Sequence, residues 1–217
     1  RRLGLIFANY PNKDGRMGNG VGLDSPASAL NLLEALADQG YGVGELPGKG
    51  DDLIRKLAAG PTNNLKDRAS RSGGITFALA DYQSFFDALP EAVRAQVITR
   101  WGAPEEDPFV VGDDFVLPAF TQGNVVIGLQ PARGYNIDPK SSYHDPDLVP
   151  PHGYLAFYGW LRQGFQAQAI IHMGKHGNLE WLPGKSLALS DSCFPEAVFG
   201  PLPHLYPFIV NDPGEGT

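Results

Sequence analysis

The run Leu3-Gly4-Leu5-Ile6-Phe7-Ala8-Asn9 constrains the fold more than any other stretch of this chain. It is too short for an ordinary helix and apolar at consecutive positions, so both of its faces must be covered, as in a strand of a parallel sheet. The loop that follows, residues 10–24, carries Gly15, Gly18, Gly20 and Gly22. Helix signals come next: Ser25 as N-cap, Pro26 at the first helical position, Leu30, Leu33 and Leu36 spaced for one buried face, and Gly40 as the stop. Residues 41–46 are expected to form a second strand and Asp51–Ala59 a second helix. This order predicts an α/β fold: a Rossmann-like, doubly wound, mostly parallel sheet with helices on both faces.

Further along, residues 60–74 are polar and read as a connector or mobile loop. Asp81 caps a helix reaching Leu89, and Pro90 opens another reaching Trp101. Residues 109–111 and 115–117, around Gly112-Asp113-Asp114, predict a small antiparallel hairpin insertion. Val125–Leu129 is a further strand, residues 130–151 a long loop, residues 152–163 an aromatic-rich helix, and Ala169–Met173 a strand. The chain divides into a strand-loop-helix half (1–60), a connector with helices (61–108) and a strand-rich half (109–217), all within one domain.

Composition narrows the function. Lys and Arg number 17 against 24 Asp and Glu, a net charge of −7 with no basic run, which argues against nucleic acid as a partner. No apolar stretch reaches the ~20 residues of a membrane span, and the run from Leu3 to Ala8 is too short for a signal-peptide core. A single cysteine, Cys193, fits a reducing compartment, so a cytoplasmic protein is expected. The glycines from Gly15 to Gly20 follow a strand and precede a helix but miss the dinucleotide-binding spacing, and no P-loop is present.

Chemistry concentrates in His-Met-Gly-Lys-His-Gly-Asn-Leu-Glu-Trp-Leu-Pro-Gly-Lys, residues 172–185. His172, His176 and Glu180 recur every fourth residue, which on a helix would align three metal-capable side chains. Gly174 and Gly177 oppose a helix, at about 1 kcal/mol each, and the apolar run before them is a strand. A shaped turn at a strand's carboxyl end is therefore expected, where ligands and catalytic groups of open α/β sheets collect. His and Glu there point to acid-base work or metal binding; His172 can equally be a satisfied core histidine.

The string from His176 to Lys185, with Ser190 to Glu196 and Pro201-Leu202-Pro203-His204-Leu205-Tyr206-Pro207, resembles the family of the aerobic cobaltochelatase large subunit (CobN) and the magnesium chelatase H subunit. The resemblance continues through Asn9-Tyr10-Pro11-Asn12-Lys13, Gly22-Leu23-Asp24, Trp101-Gly102, Gly123-Asn124-Val125-Val126, Gln130-Pro131-Ala132-Arg133-Gly134 and Tyr143-His144-Asp145. Members are far longer, so an internal fragment is expected. Trp181 and Leu182 favour the cobalt branch; Lys175 stands where a Thr is common. The resemblance implies a metal chelatase, a ligase forming nitrogen–metal bonds: Co2+ enters a corrin precursor, hydrogenobyrinic acid a,c-diamide, in cobalamin biosynthesis, while AAA+ motor subunits hydrolyse ATP. Mg2+ insertion into protoporphyrin IX is the alternative, and a zinc metallohydrolase or a non-catalytic docking scaffold are others. Glu180 and His176 are the expected catalytic bases, with His176, Glu180 and His172 as metal ligands. Arg133, Gln130, Trp181, Lys185 and His144 are expected to bind the macrocycle, with Arg133 either pairing with a ring carboxylate or tying down its loop. His152 is a secondary candidate, and Tyr135 and Trp160 either cover the ring or belong to the core.

Overall fold

The computed structural model describes residues 1–9, 14–20, 22–135, 145–174, 179–185, 187 and 189–207, with backbone only for Ala69 and Glu180. The expected α/β fold is present. Strand β1 (Leu3–Phe7) is followed by a two-stranded ribbon, β2 (Asn19–Gly20) and β3 (Leu23–Asp24), then helices α1 (Ser25–Asp38) and α2 (Asp51–Ala59). Next come β4 (Ile75–Ala78), α3 (Leu79–Asp87), α4 (Glu91–Trp101), β5 (Val110–Val111), β6 (Asp114–Leu117), β7 (Ala119–Gln122) and β8 (Val125–Leu129). Helix α5 (His152–Gly159) runs into a π-helical turn (Trp160–Gly164), and β9 (Ala169–Met173), α6 (Phe194–Phe199) and β10 (His204–Leu205) complete the order.

The main sheet has the order β10-β9-β1-β8-β7. Its first four strands are parallel and β7 pairs antiparallel with β8. Side chains alternate between two buried faces, as a central parallel strand demands. Leu3, Leu5, Phe7, Val125, Ile127, Leu129, Ile171 and Met173 pack with Ala29 and Leu33 of α1 and Leu53 and Leu57 of α2. On the other face Ile6, Val126 and Ile170 meet α5, together with the cores of α3, α4 and α6. Gly128 belongs to that second face: a Cβ there would lie 2.7 Å from the Phe157 ring, so the glycine lets α5 approach the sheet closely.

Several local expectations shift. Helix α1 is capped by Asp24, whose carboxylate accepts from the Ala27 N–H at 3.0 Å, while Ser25 is fully buried inside the first turn. Residues 41–46 are not a strand. Gly44 has φ +69°, which turns the chain out of an extended path, although Val43 is buried and the Gly42 carbonyl accepts from the Asn124 N–H at 2.5 Å. The expected hairpin is present and gains a partner, because β4 adds to β6 to make a three-stranded antiparallel sheet of order β4-β6-β5.

The segment 60–74 is a brace. Thr62, Asn63 and Arg68 are buried. Thr62 Oγ1 donates to Asp14 at 2.7 Å, and Arg71 reaches both Asp14 and Asp67 at 2.7 Å. Thr62, Asn63, Asp67, Arg68 and Arg71, polar side chains that made this stretch look like a loop, each bond an internal partner.

Candidate functional site at the carboxyl ends of the parallel strands

Strand β1 lies between β8 and β9, and the chain passes from β8 through α5 over β1 to reach β9. The carboxyl ends of these three strands flank a topological switch point, the place where open α/β sheets bind ligands. Backbone bonds hold the ends in register: Ala8 N–H to Met173 O at 3.0 Å, Gln130 N–H to Phe7 O at 2.9 Å and Gly18 N–H to Ala8 O at 2.7 Å. Beyond β9 the chain turns at Gly174, whose φ of +113° disfavours any side chain and where a Cβ would sit tightly, 3.0 Å from Ala8 Cβ.

His172 therefore lies in a strand while Glu180 lies in a 3-10 turn (Leu179–Trp181), so the three-residue helical alignment does not form. Leu179 and Leu182 are buried, and the Leu182 N–H donates to Leu179 O at 3.1 Å, which closes that turn against the core. His176 and His144 fall outside the described residues, and for Glu180 the backbone position alone is described.

A buried polar chain crosses the site. His172, 2% exposed, shares its row of the sheet with Ile6 and Gly128 and faces α5. Its Nε2 lies 3.0 Å from Tyr158 Oη and its Nδ1 3.1 Å from His204 Nε2. Tyr158 donates to Gln130 Oε1 at 2.9 Å, and Gln130 Nε2 donates to Tyr154 Oη at 3.2 Å. Burial, reinforced by neighbouring His204, pushes the His172 imidazole down to about 3, so it is neutral. Both of its ring nitrogens are engaged by protein partners.

Two side chains fix the segment after β8. Asn63 donates to Gln130 O at 2.8 Å and accepts from the Ala132 N–H at 3.0 Å, clamping the backbone on either side of Pro131. Arg133, also buried, donates to the carbonyl of Trp181 and to that of Asp145 at 2.8 Å. It thus joins the β8 loop to the turn carrying Glu180. Trp181 is half-buried. Lys185 is exposed, and its N–H points to Cys193 Sγ at 3.3 Å. That thiol also faces the Ser190 N–H at 3.4 Å and the Ser190 hydroxyl at 3.5 Å. These donors, the Lys185 N–H foremost, hold it below the usual thiol range.

The other aromatic and histidine candidates sit elsewhere. His152 is fully buried, 2.6 Å from Tyr82 Oη through Nδ1 and 3.0 Å from Gly102 O through Nε2. Tyr135 donates to Asp107, a buried carboxylate that also accepts from the Gly153 N–H and the Phe109 N–H at 2.8 Å. Trp160 stacks on Phe165 in the π-helical turn, with ring centroids 5.7 Å apart. Among the described residues no group of three or more His, Cys, Asp or Glu side chains is placed to hold a metal ion. Sequence reasoning missed Asn63 and Tyr158. Neither lies in a motif, and each acquires its role from a contact at least 14 residues away in the chain.

The fold and the site together define an open α/β protein with a buried, polar, histidine-containing chain of hydrogen bonds beside its switch point. The chain belongs to the family described as CobN/Magnesium Chelatase, which matches residues 1–217. It is 64% identical over its whole length to an aerobic cobaltochelatase subunit CobN of a Sinorhizobium species, of which it covers 17%. The magnesium-chelatase H subunit of Chlorobaculum parvum is 33% identical, again over the whole chain and 17% of the relative. The solved catalytic subunit of cobaltochelatase from Mycobacterium tuberculosis superposes with a TM-score of 0.83 at 45% identity, over all of this chain and 18% of that one. The chain therefore spans about a sixth of the length of these relatives.

Proposed function

We propose that this chain forms part of the metal- and tetrapyrrole-handling cleft of a cobaltochelatase large subunit, which inserts Co2+ into a corrin precursor, hydrogenobyrinic acid a,c-diamide. The observation that carries this reading is the identity gradient over the full chain, 64% to a cobaltochelatase subunit against 33% to a magnesium-chelatase one. The turn bearing Glu180 stands beyond the carboxyl end of β9, which supports a site role for it. In this reading ATP is hydrolysed by AAA+ partner subunits, and both the metal and the macrocycle are substrates.

Insertion removes two protons from the ring nitrogens while Co2+ exchanges water for nitrogen. The step needs a base and a transient oxygen or nitrogen ligand near one face of the ring. Glu180 takes the role of base, and Glu180 with His176 that of transient ligand. A carboxylate and an imidazole release a divalent ion more readily than a closed structural site would. Trp181, Lys185 and His144 are assigned to the macrocycle. Arg133 already spends donors on two carbonyls and shapes the wall of the cleft. Gln130 is likewise engaged within the polar chain, donating to the Tyr154 hydroxyl and accepting from that of Tyr158.

The test uses the complete subunit with its partners, ATP, Co2+ and the corrin precursor. Glu180→Gln keeps the side-chain shape and removes the base. Metal insertion is expected to fall by about 100-fold or more, the range a positioned base contributes, with macrocycle affinity retained. Unchanged insertion by Glu180→Gln removes Glu180 from the role of base, and faster insertion of Mg2+ into protoporphyrin IX by the unaltered complex overturns the choice of metal and ring.

A further inference from the structure

With the Gln130 amide oriented as it stands, Oε1 toward Tyr158 and Nε2 toward Tyr154, the chain between His204 and Tyr154 has one consistent assignment of hydrogens. Tyr158 owns one hydroxyl hydrogen and gives it to Gln130 Oε1 at 2.9 Å, so toward His172 its oxygen acts as acceptor. His172 Nε2, 3.0 Å away, must therefore carry a hydrogen. A neutral imidazole has one N–H, which makes His172 Nδ1 the acceptor for the His204 Nε2–H at 3.1 Å. Every bond then runs one way: His204 to His172 to Tyr158 to Gln130 to Tyr154. The chain links exposed edge strand β10 to the ends of β9 and β8 and to α5, across the elements that carry the proposed base and the Arg133 loop.

We propose that His172 is a positioning residue for metal insertion and not a metal ligand: as the central donor and acceptor of this one-way chain, it fixes the ends of β8 and β9 relative to each other. His172 has no third nitrogen to offer a metal, and rotating the ring toward one would break its bonds to the buried Tyr158 hydroxyl and to His204, with the imidazole itself buried. Unmade buried hydrogen bonds of that kind are costly. The inference rests on the chelatase reading for its kinetic consequence. Its tautomer consequence stands independently.

The experiment uses the complete subunit, with Co2+ as the probe for binding and the full complex for turnover. His172→Gln keeps a donor for Tyr158 and an acceptor for His204 in one side chain, whereas His172→Leu removes both, and Tyr158→Phe removes the middle oxygen. Expected: His172→Gln stays within about threefold of wild type in kcat, while His172→Leu and Tyr158→Phe lose about tenfold to 100-fold, the range for a misplaced reacting geometry. Co2+ affinity stays within about threefold in all of the variants, because no ligand is removed. A loss of Co2+ affinity in His172→Gln as large as in His172→Leu overturns the proposal, since a ligand would have been removed in both. In parallel, nitrogen NMR of 15N-histidine-labelled protein reads the His172 tautomer at neutral pH. A hydrogen on Nε2 and none on Nδ1 is expected, and the opposite tautomer overturns the proposal even if the unaltered complex inserts no Co2+. Absence of insertion with the Nε2–H tautomer present overturns the chelatase reading instead.

Discussion

Acidification from pH 7 to pH 5 is expected to weaken this fold through His172 in particular. The imidazole is 2% exposed, with a folded-state pKa of about 3 against 6.5 when free. The unfolded chain therefore binds a proton there below pH 6.5 while the native state refuses it down to about pH 3. Stability from this group is complete above pH 6.5, falls as pH drops through the window between the two values, and is fully lost below about 3. One pKa unit corresponds to 1.36 kcal/mol, and pH 5 lies 1.5 units below the free value, so His172 alone costs about 2 kcal/mol on moving from pH 7 to pH 5. His204 faces it and, like His152, is held down by burial, so both add in the same direction. Urea unfolding of the wild type and of His172→Gln at both pH values isolates the residue, since glutamine does not titrate. Wild type should lose about 2 kcal/mol more than the variant over this interval. Equal losses would refute the claim that His172 is held neutral by its surroundings.

Three further outcomes follow from the packing. Gly128→Ala places a methyl 2.7 Å from the Phe157 ring and 3.0 Å from Ile6 Cδ1; thermal unfolding should report a loss of about 1–3 kcal/mol, the usual cost of overpacking. Asn63→Ala leaves the Gln130 carbonyl and the Ala132 N–H without their partner, with an expected loss of about 2–4 kcal/mol and faster amide exchange at Ala132. Cys193 is 2% exposed despite its lowered pKa, so a thiol reagent should label it slowly in the native state and rapidly in denaturant.

Much of the architecture is legible in the sequence. The strands at Leu3–Phe7, Val125–Leu129 and Ala169–Met173 and the helix Asp51–Ala59 declare themselves by unbroken or periodic apolar residues. Gly174 and Gly177 were enough to reject a helical metal site in favour of a turn, and β9 ends one residue before Gly174. Strands β4, β7 and β10 were not legible, because each is short and owes its existence to a neighbour: β4 to β6, β7 to β8 and β10 to β9. The same holds for the polar brace at residues 60–74, whose composition is that of a loop until Asp14 and the β8 loop supply its partners.

At the site the division has a physical cause. Sequence alone determined which residue types are present and where the chain must turn, because turns and apolar runs are local properties of a few neighbouring side chains. It therefore located the His172 to Lys185 segment and the family to which the chain belongs. What His172 does was decided by tertiary structure: a histidine's role depends on what meets its two nitrogens, and those partners come from α5 and β10, 14 and 32 residues away. Arg133 shows the same dependence, its fork donating to the carbonyls of Trp181 and Asp145, 48 and 12 residues away, through a fold that brings three segments together.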